Sequence, residues 1–296
     1  MPSLNRRIKA ALPNPVKRAV AHALRPIGAP RRLQNLLAFD GEFALPLDGK
    51  TLRWQYADRW IERDLFWHGW PGYEPVSLAL WHRAARGART IIDIGANSGI
   101  FGVSAKVLNP SARVIAFEPL PLFADALARN ARRNAVDVQL VRAAVSSTEG
   151  KAQFFVPEEL AGNIYSSSLS REHYDRHQAS TPNILDVDVV MFDRFAERED
   201  VRTVDLVKID AEGHDAEVLA GMAGILARDH PDCIVEIQSD AEGARLMPHF
   251  EPSRYAYFNL SESGGPRRVA RLGRSDTVNF FICKHETASA LGLPGA

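Results

Sequence analysis

Thr90-Ile-Ile-Asp-Ile-Gly-Ala-Asn-Ser-Gly-Ile-Phe101 constrains this chain more than any other stretch. Ile91, Ile92 and Ile94 form the short β-branched run of a parallel strand covered on both faces. Gly95 follows at once, where the backbone must turn sharply, and Gly99 opens the next helix with no side chain to obstruct a ligand. Asp93 falls at the carboxyl end of the strand, the edge at which open α/β sheets bind their ligands. A dinucleotide fingerprint starting at Gly95 would need glycine at positions 97 and 100; Asn97 and Ile100 stand there, which disfavours a nicotinamide oxidoreductase.

From Val76 onward, strand-like and helix-like runs alternate as in a βαβ series. Helix 78–86 leads to strand 90–94, and a helix after Gly99 stops at Asn109-Pro110. Strand 113–117, helix 120–133 and a third strand over 138–145 come next. Added strands are expected at 151–156 and around 187–191, separated by a polar, serine-rich stretch, 157–183, with the character of a lid or binding loop. The series resumes with strand 204–209, a helix and strand 233–237. Strands 255–260 and 277–283 complete seven, with a basic, glycine-bearing loop at 261–275 between them.

Acidic side chains recur at the carboxyl ends of these strands. Glu118 ends the second one, 25 residues after Asp93, where a carboxylate can accept both hydroxyls of a ribose. Lys208, Asp210, Glu212 and Glu236 gather at the same edge, and charge there is hard to justify by packing alone. A structural Lys208–carboxylate pair is the plain alternative. Three carboxylates also suit magnesium or calcium, although no metal is assigned. His173 and His177 have i, i+4 spacing, but Tyr174 stands where a zinc-protease motif needs Glu; a solvated loop is expected, with substrate contact the alternative.

Asp93-Ile-Gly-Ala-Asn-Ser-Gly99, Phe117-Glu-Pro119, Lys208-Ile-Asp-Ala-Glu-Gly213 and Val278-Asn-Phe-Phe281 together resemble the successive signatures of the FkbM family of S-adenosylmethionine (SAM)-dependent methyltransferases. The likeness covers about residues 73–283, beginning at Tyr73-Glu-Pro75, with Ala211 in place of a more usual branched residue. It implies an α/β, Rossmann-like class I methyltransferase fold, with a seven-stranded, mostly parallel sheet and helices on both faces. It also implies methyl transfer from SAM, usually to a hydroxyl of a sugar, glycolipid or polyketide. Asp93, Gly95, Asn97, Gly99, Glu118 and Ala143 are then the expected cofactor contacts. Asn97 would approach the methionine portion and Ala143 the adenine, while Asp210, Lys208, Glu212 and Glu236 are the expected catalytic group, with Asp210 as base. A non-catalytic module that binds SAM or a partner is the alternative.

Domain boundaries are expected at a basic arm (1–39), an aromatic-rich cap (40–75), the methyltransferase domain (76–286) and a tail (287–296). The arm holds eight Lys and Arg residues and no Asp or Glu, which leaves 28 basic against 36 acidic residues in the rest. A body of that sign is a poor scaffold for nucleic acid, so the expected partner is a small-molecule or glycan acceptor. The arm itself reads as a loosely docked segment, with contact to an anionic membrane or a partner as the sharper alternative. Cys233 and Cys283 lie in apolar runs and read as buried thiols, and with no signal-like apolar segment the expected location is cytoplasmic.

Overall fold

The computed structural model describes residues 12–56, 59–157, 167–178 and 180–295. Two compact units meet in sequence at Pro75 and Val76. Part of the basic arm (1–11) and part of the expected lid (158–166 and 179) lie outside the described residues.

The N-terminal unit merges what the sequence divides into arm and cap. Helix α1 (Asn14–Leu24) precedes a short helix α2 (Arg31–Leu36), an antiparallel hairpin of β1 (Gly41–Leu47) and β2 (Lys50–Tyr56), and helix α3 (Trp60–His68). Asp48 and Gly49 turn the hairpin with φ of 51° and 72°, the left-handed pair that matches the twist of the strands. Phe43, Leu45, Leu47, Leu52, Trp54 and Tyr56 alternate inward on both strands. Phe66 of α3 meets Phe39, Phe43, Tyr56 and Trp67 edge-on at 5.2–5.6 Å. The arm is not loose where it is described. Ala21 is fully buried, the His22 ring stands edge-on to Phe66 at 5.1 Å, and the Arg25 guanidinium lies 5.0 Å above the same ring.

The second unit opens with α4 (Pro75–Ala85), then β3 (Thr90–Ile94), α5 (Ile100–Leu108), β4 (Arg113–Phe117), α6 (Pro121–Arg133) and β5 (Gln139–Val141). Its later elements are β6 (Ala144–Val145), β7 (Gly150–Val156), α7 (Arg171–His177), β8 (Asn183–Val190), α8 (Phe192–Arg198) and β9 (Leu206–Ile209). They are followed by α9 (Asp215–Gly221), α10 (Ala223–Asp229), β10 (Asp232–Glu236), α11 (Asp240–Leu246), β11 (Tyr255–Ser261), β12 (Gly265–Val269), β13 (Asn279–Lys284) and α12 (His285–Ala290). The main sheet runs β12-β11-β13-β10-β9-β3-β4-β5. Strands β10, β9, β3, β4 and β5 are mutually parallel, and β13 enters antiparallel between β10 and β11.

Alternation sorts the parallel strands between two layers of helices. Ile92, Ile94, Ile115, Phe117, Val207, Ile209, Cys233 and Val235 join Phe192, Val218, Leu219, Met222, Ile225 and Leu246, from the stretch α8 to α11, in one hydrophobic core. On the opposite face Ala116 packs with Leu127 of α6, and Gly102 of α5 lies against Asp93. This is the α/β, Rossmann-like architecture expected, a mostly parallel sheet with helices on both faces and one strand more than the seven counted from sequence.

The eighth strand is β12, in the stretch read as a loop. It is an edge strand with a single neighbour, so Pro266, Arg267 and Arg268 are tolerated and no apolar alternation marks it. The expected third strand is two strands: β5 pairs with β4, whereas β6 leaves the main sheet and pairs with β8 in a separate three-stranded sheet, β6-β8-β7. The expected tail is also built in. Thr287 Oγ1 donates to Asp232 at 2.8 Å, and Ala288 and Leu293 are buried. No helix among the described residues is long and apolar enough to cross a membrane.

Candidate active site

The turn after β3 is folded over its neighbours by backbone hydrogen bonds. Gly95 and Ala96 N–H both donate to Phe117 O at 3.0 Å, at the end of β4, and Asp210 N–H donates to Ile94 O at 3.1 Å. Gly95 is obligatory here: its φ is 74°, and a Cβ would come within 1.9 Å of Asp210 O. Asn97, also left-handed at φ 51°, donates its N–H to Glu118 Oε2 at 2.8 Å, while its own Oδ1 accepts Ser98 N–H. Gly99 caps α5 at φ 90°, and a Cβ would lie 2.7 Å from Leu127 Cγ. Asp93 is buried and one of its oxygens accepts Gly102 N–H at 2.8 Å, so it fixes α5 to β3.

Glu118 is buried, with Oε1 accepting Leu120 N–H and Oε2 accepting Asn97 N–H, each at 2.8 Å. Burial nevertheless pushes its carboxyl up to about 7, with Asp93 and Asp210 adding to the rise and the two N–H donors opposing it. Glu118 N–H donates to Val141 O, and Ala143 lies two residues further on, buried where β5 gives way to β6.

The second cluster grows from β9. Lys208 lies level with Asp93 on β3 and Ile234 on β10. Its side chain is only 2% exposed; the ammonium donates to Asp210 Oδ2 at 3.2 Å and sits 5.1 Å above the Phe101 ring. Asp210, Glu212 and Glu236 each present an oxygen, and the three lie within 4.8 Å of one another, a spacing a hard divalent cation could bridge. Burial, compounded by Asp210 and Glu212, holds the Glu236 carboxyl well above the usual range.

Two contributors, Ser168 and Asp215, are not among the expected site residues, and a third, His173, stands in a different setting from the one expected. His173 does not sit in a solvated loop. It belongs to α7, whose first turn is capped by Ser170 Oγ and whose surface is laced by Arg171–Asp175 and Glu172–Arg176 pairs at 2.8 Å. The imidazole is buried and its Nε2 lies 3.1 Å from Glu212 Oε2; burial lowers its pKa, so the neutral ring donates to the carboxylate. Ser168 Oγ, just before α7, donates to Glu212 O at 2.6 Å. Asp215 is buried behind the cluster, its Oδ1 accepting Ala211 N–H, and burial, with Glu242 and Asp210 adding to it, raises its carboxyl to about 8. No apolar period marks a seven-residue helix of polar side chains; the charged run Asp210-Ala-Glu-Gly-His-Asp215 was the only signal.

The structure therefore gathers Asp93, Gly95, Asn97, Gly99 and Glu118 around one turn, and Lys208, Asp210, Glu212 and Glu236 beside it. Gly95 and Asp210 touch through their backbones.

Residues 93–257 match the methyltransferase FkbM domain. The hexuronic acid methyltransferase AglP of Haloferax volcanii is 32% identical over 134 residues, which cover 45% of this chain and 50% of that protein. The 31-O-demethyl-FK506 methyltransferase FkbM of Streptomyces tacrolimicus is 28% identical over 152 residues, 45% of this chain and 58% of the relative. The chain thus spans about half the length of the curated relatives it matches. A crystallised FkbM methyltransferase from Methylobacillus flagellatus aligns with a TM-score of 0.41 at 12% identity, over 90% of this chain and 58% of that one. With the family's domain matched over more than half its length, this chain belongs to the FkbM methyltransferases, which take their methyl group from S-adenosyl-L-methionine.

Proposed function

We propose that the protein is an O-methyltransferase acting on a hydroxyl of a small molecule or glycan, with a sugar, glycolipid or polyketide-type product as the acceptor class. The names of the two relatives support this class, one a hexuronic acid methyltransferase and one a 31-O-demethyl-FK506 methyltransferase. The observation that carries the reading is the state of Asp210. Its Oδ2 is held by the buried Lys208 ammonium, its Oδ1 has no hydrogen bond among the described residues, and its side chain is 25% exposed at the carboxyl edge of the sheet.

The donor set fits SAM. That cofactor carries a sulfonium and an ammonium against one carboxylate, and this edge holds Glu118, Asp210, Glu212 and Glu236 around a single buried lysine. Burial has pushed two of those acids upward, so a cationic ligand would relieve charge that Lys208 leaves uncompensated. Glu118 would hold the ribose hydroxyls, the Gly95–Gly99 turn would receive the methionine end, and Ala143 would flank the adenine. SAM supplies a methyl already activated on sulfur.

The chain's own residues then have two tasks, alignment and proton transfer. Lys208 fixes Asp210 by the 3.2 Å bond, keeping Oδ1 turned to the acceptor hydroxyl. Oδ1 takes the hydroxyl proton as the new bond to oxygen forms. His173 Nε2 and Ser168 Oγ fix the side chain and the carbonyl of Glu212, so the segment after β7 is tied directly to the acceptor side of the cluster.

The test is turnover of SAM with a panel of uronic acids, glycolipids and macrolides, followed by mass spectrometry of the methyl ether. Asp210→Asn should keep SAM affinity and lose about 10²–10⁴-fold in turnover, the usual worth of a positioned base. An Asn variant as fast as wild type, in a reaction insensitive to chelator, would remove Asp210 from the chemistry. Inactivation by chelator with rescue by magnesium would instead assign Asp210, Glu212 and Glu236 to a cation.

A further inference from the structure

Glu212 is held in a backbone conformation that a glutamate does not favour. Its φ is 51° and that of Gly213 is 80°, two consecutive left-handed residues just past Asp210. Glycine tolerates this; a glutamate adopts it only where its surroundings impose it. What imposes it comes from outside the βαβ series. Phe155 on β7 and Ser168 exchange both backbone hydrogen bonds, at 2.9 and 3.1 Å. Ser168 Oγ accepts Ser170 N–H at 2.8 Å and donates to Glu212 O, and Ser170 Oγ accepts His173 N–H at 3.2 Å. The His173 imidazole then returns to the same glutamate, with Nε2 3.1 Å from Glu212 Oε2. A path of hydrogen bonds from β7 thus grips Glu212 at two points, its carbonyl and its carboxylate.

The ring has little freedom to leave that position. It is buried, the His177 ring packs on it at 4.3 Å, and a Cβ on Gly213 would stand 2.5 Å from its Nδ1, so it lies directly against the Gly213 backbone. The Glu212 side chain, by contrast, is 27% exposed, and an oxygen of it lies within 4.8 Å of one from the half-open Asp210. A buried ring that fixes a half-open carboxylate is a support and the group it presents. We propose that Glu212 binds the acceptor and that His173 is its positioning residue, an assignment that rests on the reading of Asp210 as base. An ionised carboxylate only accepts hydrogen bonds, so the group it meets on the acceptor is a donor. Two carboxylate oxygens at that separation can each reach one of two neighbouring hydroxyls at about 2.7 Å. Asp210 takes the proton of one hydroxyl, and Glu212 accepts a hydrogen bond from the other and holds it in place. The acceptor is then a polyol with adjacent hydroxyls, as on a sugar ring, rather than a lone alcohol.

The acceptor probes are methyl β-D-glucuronide, which carries adjacent hydroxyls, and the uronic acids, glycolipids and macrolides of the panel above. His173→Ala should raise the KM for the methylated polyol about 10–100-fold, as loss of a hydrogen bond to a charged group does, with SAM affinity by calorimetry unchanged. His173→Gln, whose amide N–H can reach the same oxygen, should recover most of that loss. Glu212→Gln should raise KM to a similar degree, and adding His173→Ala to it should change nothing further. A deoxy analogue without the neighbouring hydroxyl should serve wild type and Glu212→Gln equally. Nitrogen-edited NMR spectra should show His173 protonated on Nε2, with that signal altered in Glu212→Ala. Thermal melts verify the fold, and where His173→Ala does not fold, Glu212→Gln and the deoxy analogue carry the test. The proposal is overturned by additive effects of the two substitutions, by a fall in kcat or SAM affinity at unchanged KM, or by methyl transfer only to lone hydroxyls. Transfer to no acceptor at all fails the methyl-transfer reading instead; an Nε2 signal that responds to Glu212→Ala then still supports the pairing, and an unresponsive one overturns it.

Discussion

Replacing Gly95 by alanine separates two costs that are usually mixed. At φ 74° any L-residue is strained by about 1–2 kcal/mol. The added Cβ would also stand 1.9 Å from Asp210 O, a backbone atom that cannot swing aside, so the turn and the end of β9 must part. Overpacking of that kind costs about 1–3 kcal/mol, and the total is about 2–5 kcal/mol. Gly265 supplies the control within the same unit, because its φ is also 74° but nothing lies within 4 Å of its Cβ position. Gly265→Ala should therefore cost only the strain, about 1–2 kcal/mol. Urea unfolding of both variants gives the difference, and calorimetry with SAM shows whether the displaced turn still receives the cofactor. Equal destabilisation of the two, with SAM affinity intact in Gly95→Ala, would show that the Gly95–Asp210 contact does not hold the site together.

Glu118 makes stability depend on pH in a stated direction. Its carboxyl rises from 4.5 to about 7 on folding, so its stabilising contribution is complete below the unfolded value and is lost as pH climbs through the folded one. The protein should resist urea better near pH 5 than near pH 8. Glu118→Gln should shrink that difference by about 3 kcal/mol, the equivalent of the shift, and unchanged pH profiles would contradict it. Lys208→Met removes the buried ammonium that Asp210 depends on and that opposes the rise at Glu236 and Asp215. A loss of about 3–5 kcal/mol in urea is expected, and wild-type stability would mean that the carboxylates find other compensation.

What could be read from the sequence followed from how strongly each segment is buried. Strands β3 and β4 have the bounds expected of them, because a strand covered on both faces must be apolar throughout and must stop where a turn glycine or a charge appears. Segments with one neighbour or little apolar content gave no such signal. Strand β12 is an edge carrying two arginines, and α7 is held by capping and surface ion pairs rather than by an apolar stripe. The hairpin β1–β2 is legible in the sequence: Asp48-Gly49 between two alternating runs is a strong turn signature, which the aromatic content of 40–75 does not by itself convey. At the site, carboxylates at strand ends could be placed by register alone. The partners that reach them from outside the βαβ rhythm, His173 and Ser168, depend on tertiary packing that no local pattern encodes.

The place of β13 has a consequence for the order in which the sheet can be assembled. It is the last strand among the described residues, yet it lies inside the sheet, with β10 on one side and β11 on the other. Strands β11 and β12 are synthesised earlier and can pair as a hairpin, but they have nowhere to attach until residues 279–284 exist. Until then the flank of β10 formed by Cys233, Ile234 and Val235 stays open, an apolar ladder of unpaired backbone groups. Closure of the sheet is thus a late, long-range event, and chaperone dependence or edge-to-edge association of a nascent chain would concentrate in that interval. For the same reason a deletion within the final strand would not trim a margin. It would detach β11 and β12 from the sheet altogether.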